Sequence, residues 1–196
     1  MPVGGEPRTS AQPRAIRAAA GVNATSTAAV DAAVRPPDSD DCADSDLVVV
    51  VPEPYRSPRP ELVDLLAAEA APYLVAGVRE TSGIVGPLVR PGLTSCPRCH
   101  DLARTDRDPA WPVLAAQLAA PPRDGRDDPC DVVLAAAVAS ITAGQALAYL
   151  AGPGPVLCTD ATLELRLPEW RLRRRLWQPH PVCGCVRGAA RGAGSA

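Results

Sequence analysis

The 196-residue sequence has no lysine and no phenylalanine, and Asn23 is its single asparagine. All 20 basic residues are therefore arginine, a sign of coding bias that makes residue propensities less informative than usual. Aromatic residues amount to 3%, which leaves few platforms on which bases could stack. The formal net charge of −2 gives no general attraction for nucleic acid. The arginine-bearing N-terminus has no apolar core behind it of the kind a secretory signal needs, so a soluble, cytoplasmic protein is expected. There is no internal repeat, and the length suits one domain with tails.

Against these absences stand seven cysteines, four of them in two close pairs: Cys96-Pro-Arg-Cys99 after a Pro-Gly turn, and Cys183-Gly-Cys185 near the end. Knuckles with two or one intervening residues let both sulfurs of a pair face one ion, and four converging thiolates can hold Zn²⁺ tetrahedrally. The competing reading is disulfide or free thiol, but seven is an odd count and no secretory signal precedes it. A closed four-ligand site has no open position for a substrate, so it implies a structural staple. His100 and His180 stand beside the pairs and could replace a sulfur, but four cysteines already fill a tetrahedron, so the imidazoles are expected around the site or on the surface.

Residues 1–45 are rich in Pro, Gly, Ser, Thr and Asp and read as poorly ordered, with a short helix expected at 13–20 and a short strand at 28–34. Leu47 to Val51 is an apolar, mostly β-branched run, the pattern of a strand buried on both faces of a parallel sheet. A helix from Glu61 after Pro60 and a strand from Tyr73 to Val78 complete a βαβ unit, whose ligands bind beyond the strands' carboxyl ends. Ile84 to Arg90 reads as a further strand, and Trp111 to Ala120 as a helix behind an Asp108 cap. Asp131 to Leu150 is a long helix; the uncharged stretch to Cys158 tempts a membrane reading, but its Ser, Thr, Gln, Gly and Pro favour a core helix. Thr162 to Leu167 alternates as a half-exposed strand, with Arg171 to Trp177 expected beside it. The run Arg171, Arg173, Arg174 and Arg175 suits phosphate, an acidic peptide or, most simply, a solvated face.

The segment GIVGPLVRPGLTSCPRC (residues 83–99) resembles the strand that leads into the first zinc pair of ThiF/HesA/MoeB-type adenylyltransferases, relatives of ubiquitin-activating enzymes. The second half agrees in order: the helix AAVASITAGQALAYL, a Gly-Pro turn, a strand and a terminal cysteine pair. DRDPAWP and HPVCGC look most like the subgroup of azole-peptide cyclodehydratase or leader-peptide-binding proteins. The resemblance covers residues 46–185. It implies an α/β fold, a partial Rossmann-like sheet followed by antiparallel strands and a zinc knuckle. The domain expected is 46–187, with a disordered tail at 188–196.

The resemblance also implies chemistry: ATP and Mg²⁺ activating the carboxyl terminus of a peptide or carrier protein. Its phosphate-cradling glycine-rich loop has no counterpart in the sequence, where Gly4-Gly5 is a lone pair. The family's metal-binding Asp corresponds to Glu53, here followed by Pro54, and its helix-start arginine to Arg59. Cys130, just before the long helix, stands where some relatives carry a reactive thiol, although Asp128 and Asp131 flank it. Cys42 and Cys158 read as ordinary thiols. Two functions follow as expectations: an adenylyltransferase relative lacking its nucleotide half, or a non-catalytic zinc-stapled protein binding a leader peptide or partner enzyme. A homodimer is a further possibility. Because only one short strand is expected before Leu47, the chain reads as the C-terminal part of a longer product, or a descendant of one.

Overall fold

The structure, a computed structural model, describes residues 15–19, 30–33, 35, 37–52, 57–119, 130–152 and 154–186. Seven strands form one mixed sheet: β1 (Ala15–Ala19), β2 (Val30–Ala33), β3 (Ser45–Val50), β4 (Tyr73–Arg79), β5 (Ser82–Val89), β6 (Ala161–Arg166) and β7 (Arg171–Leu176). Their spatial order is β2-β1-β3-β4-β5-β6-β7. The first four run parallel, and β5, β6 and β7 continue antiparallel. The α/β architecture of a Rossmann-like half-sheet extended by antiparallel strands is thus present.

The apolar run after Asp46 is buried as its composition requires: Leu47, Val48, Val49 and Val50 are all buried in β3. Covering both faces takes two sets of helices. On one face lies α5 (Val132–Leu150), capped by the Asp131 side chain, which accepts from the Leu134 N–H. Leu134, Val138, Thr142 and Ala146, four residues apart, form its buried stripe. They meet Leu47, Leu74, Val85, Leu88, Leu163 and Leu165 of the sheet. Among the described residues α5 is the one helix long and apolar enough to cross a membrane. Its buried stripe is spent on the sheet.

The other face is covered by α1 (Ser39–Ala43) and α2 (Pro60–Ala68), the crossover of the βαβ unit. Pro60 opens α2 at its first turn, and Leu62, Leu65 and Leu66 line the side turned to the sheet. Here they pack with Val48, Val50, Tyr73, Val89 and Cys42. α3 (Pro97–Arg107) and α4 (Trp111–Ala119) follow β5.

Two expectations are corrected. The segment expected as a short helix at 13–20 is strand β1, because its backbone pairs with β2 and β3 on both sides and that pairing outweighs the helix preference of alanine. With β2 the region before Leu47 supplies two strands rather than one, so β3 has a neighbour on each edge, β1 and β4. The short strand expected near Val30 is present as β2. The strand expected from Ile84 is present as β5, with the Gly86-Pro87 pair inside it, opposite a register shift between Leu74 and Ala76. Such an irregularity tolerates a proline, which has no N–H for the ladder.

The order of the parallel strands reverses at β1, with β2 on one side and β3 on the other. In open α/β sheets ligands bind at such a switch point, beyond the carboxyl ends, here Ala19 of β1 and Val50 of β3. Residues 20–29 and 53–56, which follow these ends, lie outside the described residues.

Candidate metal centre

The four paired cysteines come together at the opposite end of the sheet. Cys96 is the N-cap of α3 and Pro97 its first helical residue, so Cys99 falls in the first turn. A helix N-terminus leaves N–H groups unpaired and favours thiolate. The second pair arrives on a turn after β7, in which the Cys183 N–H donates to the His180 carbonyl at 3.0 Å. Gly184 between the two has φ of +71°, a conformation that glycine adopts without penalty and that brings Cys183 and Cys185 to the same side. A bridge between Gly92 and Val186 fastens this turn beside the loop that precedes Cys96.

The sulfurs lie within 4.8 Å of one another. Cys96 is 3.8 Å from Cys99 and 3.5 Å from Cys183, and Cys99 is 3.3 Å from Cys185. Metal–sulfur bonds of about 2.3 Å in a tetrahedron require sulfur separations of about 3.8 Å, so the cluster fits a four-thiolate ion. Cys96 and Cys99 are buried and the second pair half-buried. Such a donor set suits a closed structural site.

Electrostatics set the order in which the thiols would ionise. Cys99 is held well below the usual thiol range, first by the hydrogen bond from Cys96, with the His180 N–H assisting. Cys96 is raised, by its hydrogen bond to Cys99 and by burial, and Cys185 is pushed up to about 12, chiefly by burial. A second thiolate beside the first is costly until a cation balances the charge. Tyr73, fully buried at the start of β4, is likewise raised by burial and by the four cysteines.

Around the sulfurs lies a shell of which the sequence pointed only to His100 and His180. The Ser95 N–H donates to Asp160 Oδ1 at 2.6 Å, fixing the residue before Cys96. His100 is buried, stacked on Trp177 with ring centroids 4.3 Å apart, and its pKa is lowered to about 3 by burial and by Arg104 and Arg175. Trp177 Nε1 donates to Thr162 Oγ1 at 3.0 Å. His180 Nε2 lies 2.8 Å from Asp106 Oδ2. Neither imidazole belongs to the four-sulfur cluster.

The remaining site residues are not brought to this centre. Arg59 is the exposed N-cap of α2, and Glu53 lies outside the described residues. Cys130 is exposed, bridged to Glu80 at the turn after β4, immediately before α5. It therefore sits at the carboxyl end of β4, whereas the cysteine cluster adjoins Tyr73 at the amino end. Cys42 and Cys158 are buried, one in each core.

No protein-family model and no curated protein matches the sequence. Solved structures do match. E. coli MccB with succinimide aligns over 82% of this chain and 46% of its own, at TM-score 0.55 and 18% identity. The chain shares the fold of MccB, a ThiF/MoeB-like adenylyltransferase. MccB with ATP aligns comparably, at TM-score 0.54 and 17% identity over 81% of this chain. A heterocyclase in complex with substrate and cofactor aligns over 89% of this chain and 25% of its own, at TM-score 0.59 and 15% identity. The chain thus spans less than half of the MccB structures and a quarter of the heterocyclase.

Proposed function

We propose that this chain is a zinc-stapled binding module of peptide modification, engaging a leader peptide or a partner modification enzyme, and does not itself activate carboxylates with ATP. One observation carries the choice: residues 20–29 alone connect the parallel strands β1 and β2, and Gly21 is the one glycine among them. A glycine-rich phosphate loop followed by a returning helix needs about a dozen residues or more. The likeness to a heterocyclase over 89% of the chain supports a role in heterocycle-forming chemistry. Zn²⁺ is the ion the thiolate tetrad suits best, and its role is to hold the segment after β7 against α3. A reducing cytoplasm would keep such thiols available.

A second reading retains adenylation, with the nucleotide site completed by a further part of the protein or by a second copy. The switch point between β1 and β3 favours it. Glu53, Arg59 and Cys130 would then be the residues for Mg²⁺, ATP and thiol chemistry. ATP–pyrophosphate exchange separates the readings. The binding module shows none, while a reconstituted peptide modification requires the chain and survives Glu53→Ala; exchange that Glu53→Ala abolishes overturns the proposal.

A further inference from the structure

The last strand of the sheet, β7, carries a surface that the metal centre does not use. All six of its residues, Arg171–Leu176, are exposed, and no strand lies beyond it among the described residues. The Trp177 N–H donates to the Asp160 carbonyl across the β6 pairing, at 2.9 Å. Backbone direction alternates along a strand, so Arg171, Arg173 and Arg175 also turn their amides toward β6. Leu172, Arg174 and Leu176 therefore direct their N–H and carbonyl groups outward.

The side chains alternate as well. Arg171, Arg173 and Arg175 share one face with Arg166, the register partner of Arg171. Arg104 and Arg107 of α3 join them around Trp177, at 4.6 and 6.0 Å from its ring, with Arg175 at 4.6 Å. Glu164, 3.9 Å from Arg175, and Asp101, 3.2 Å from Arg104, offset part of this charge. On the other face Leu172 and Leu176 are 49% and 60% exposed. Between them Arg174 Nε donates to the Leu157 carbonyl at 2.8 Å, and Leu157 is itself 47% exposed.

We propose that the free edge of β7 takes an extended peptide as an added strand, one whose side chains alternate between carboxylate and aliphatic. This rests on the reading of the chain as a binding module and names the class of segment bound. Outward amides supply the ladder, as in strand addition generally. Carboxylates would stand beside Arg171, Arg173 and Arg175, and aliphatic side chains beside Leu172 and Leu176. Arginine at alternate positions also repels a second β7, which directs the edge away from self-pairing and toward a partner of opposite charge. Nucleic acid fits less well, because Trp177 is only 2% exposed and unavailable for stacking.

The test uses the full metal-loaded chain and a short synthetic peptide of alternating glutamate and valine. Titration should protect the amide hydrogens of Leu172, Arg174 and Leu176, while those of Arg173 and Arg175, already paired with β6, change little. Arg173→Glu and Arg171→Glu should each weaken binding by about tenfold or more, with zinc content and thermal unfolding unchanged. N-methylation of the peptide should abolish binding on one set of alternate amides and spare it on the other. A peptide with lysine for glutamate should not bind. Absence of binding, protection elsewhere, or displacement of the peptide by a single-stranded DNA oligonucleotide at equal charge overturns the proposal. A chain that fails with the peptide yet is still required by the modification enzyme loses only the β7 edge; pyrophosphate exchange by the chain alone would remove the underlying reading.

Discussion

The backbone N–H of His180 donates to the sulfur of Cys99 across 3.2 Å, tying the segment after β7 to the first turn of α3. A hydrogen bond to the charged form stabilises a thiolate, so this contact prepares Cys99 before any cation arrives. Two distant parts of the chain are thereby joined at the amino end of β4, away from the carboxyl ends where α/β sheets bind ligands.

The reduced protein should contain about one zinc per chain, since the four sulfurs define one closed tetrahedron. Cys99→Ser should remove the metal and lower stability by several kcal/mol, because metal affinity adds directly to folding free energy. Chelation should release the turn at Cys183 and Cys185 while leaving the α5 core in place. Elemental analysis and thermal unfolding with and without chelator check both points; a zinc-free protein of unchanged stability would exclude the staple.

His180 approaches the sulfur through its backbone, so its side chain is dispensable for the metal. His180→Ala should keep full zinc content and lose the contact to Asp106, whose side chain is 69% exposed. A hydrogen bond whose carboxylate partner is this open to solvent contributes about 1 kcal/mol. Metal loss in this variant would instead make the imidazole a ligand.

Much of this arrangement was legible in the sequence. The two cysteine pairs, the buried run at Leu47–Val50 and the long helix before Leu150 each carried a local signature strong enough to survive folding. Strand β1 did not, because its alanines speak for helix and its strand state depends on neighbours distant in the chain. Helix α3 was hidden in a different way. Cys96 and Pro97 form a start signal, but the residues after them are mostly polar, and Cys99, Leu102 and Ala103 make an apolar stripe too short to stand out in pattern reading. The roles of Tyr73, Ser95, His100 and Trp177 beside the sulfurs depend on register and packing, for which no spacing in the sequence is diagnostic.

At Gly83 strand β5 passes close under α5. A Cβ there would run into Val138 Cγ2 and touch Leu134 Cδ1 at 3.4 Å. Gly83→Ala should therefore destabilise the protein by about 1–3 kcal/mol through overpacking. The double variant Gly83→Ala, Val138→Ala should recover part of that loss, since it removes the atom in the way. Denaturant unfolding of the single and double variants measures the coupling; strict additivity would mean that the helix has room to shift.

The thiols outside the cluster should differ sharply in reactivity. Cys130 is exposed and Cys158 fully buried, with its Sγ 3.6 Å from the Val85 carbonyl, so brief alkylation of the zinc-loaded protein should label Cys130 and spare Cys158. Burial pushes the Cys158 pKa up to about 12 from an ordinary value of 9.0, against a smaller lowering by Arg174. The folded protein thus keeps this proton where the unfolded chain releases it. Stability from the neutral thiol is fully present below the unfolded pKa and declines as pH rises from about 9 toward 12, by at most about 1.4 kcal/mol per pH unit. Cys158→Ala should lower stability at neutral pH, because it opens space in the α5 core, and should flatten the alkaline slope by about one proton. Parallel slopes for the two proteins would show that Cys158 ionises as readily folded as unfolded, and that water reaches the core between α5 and the sheet.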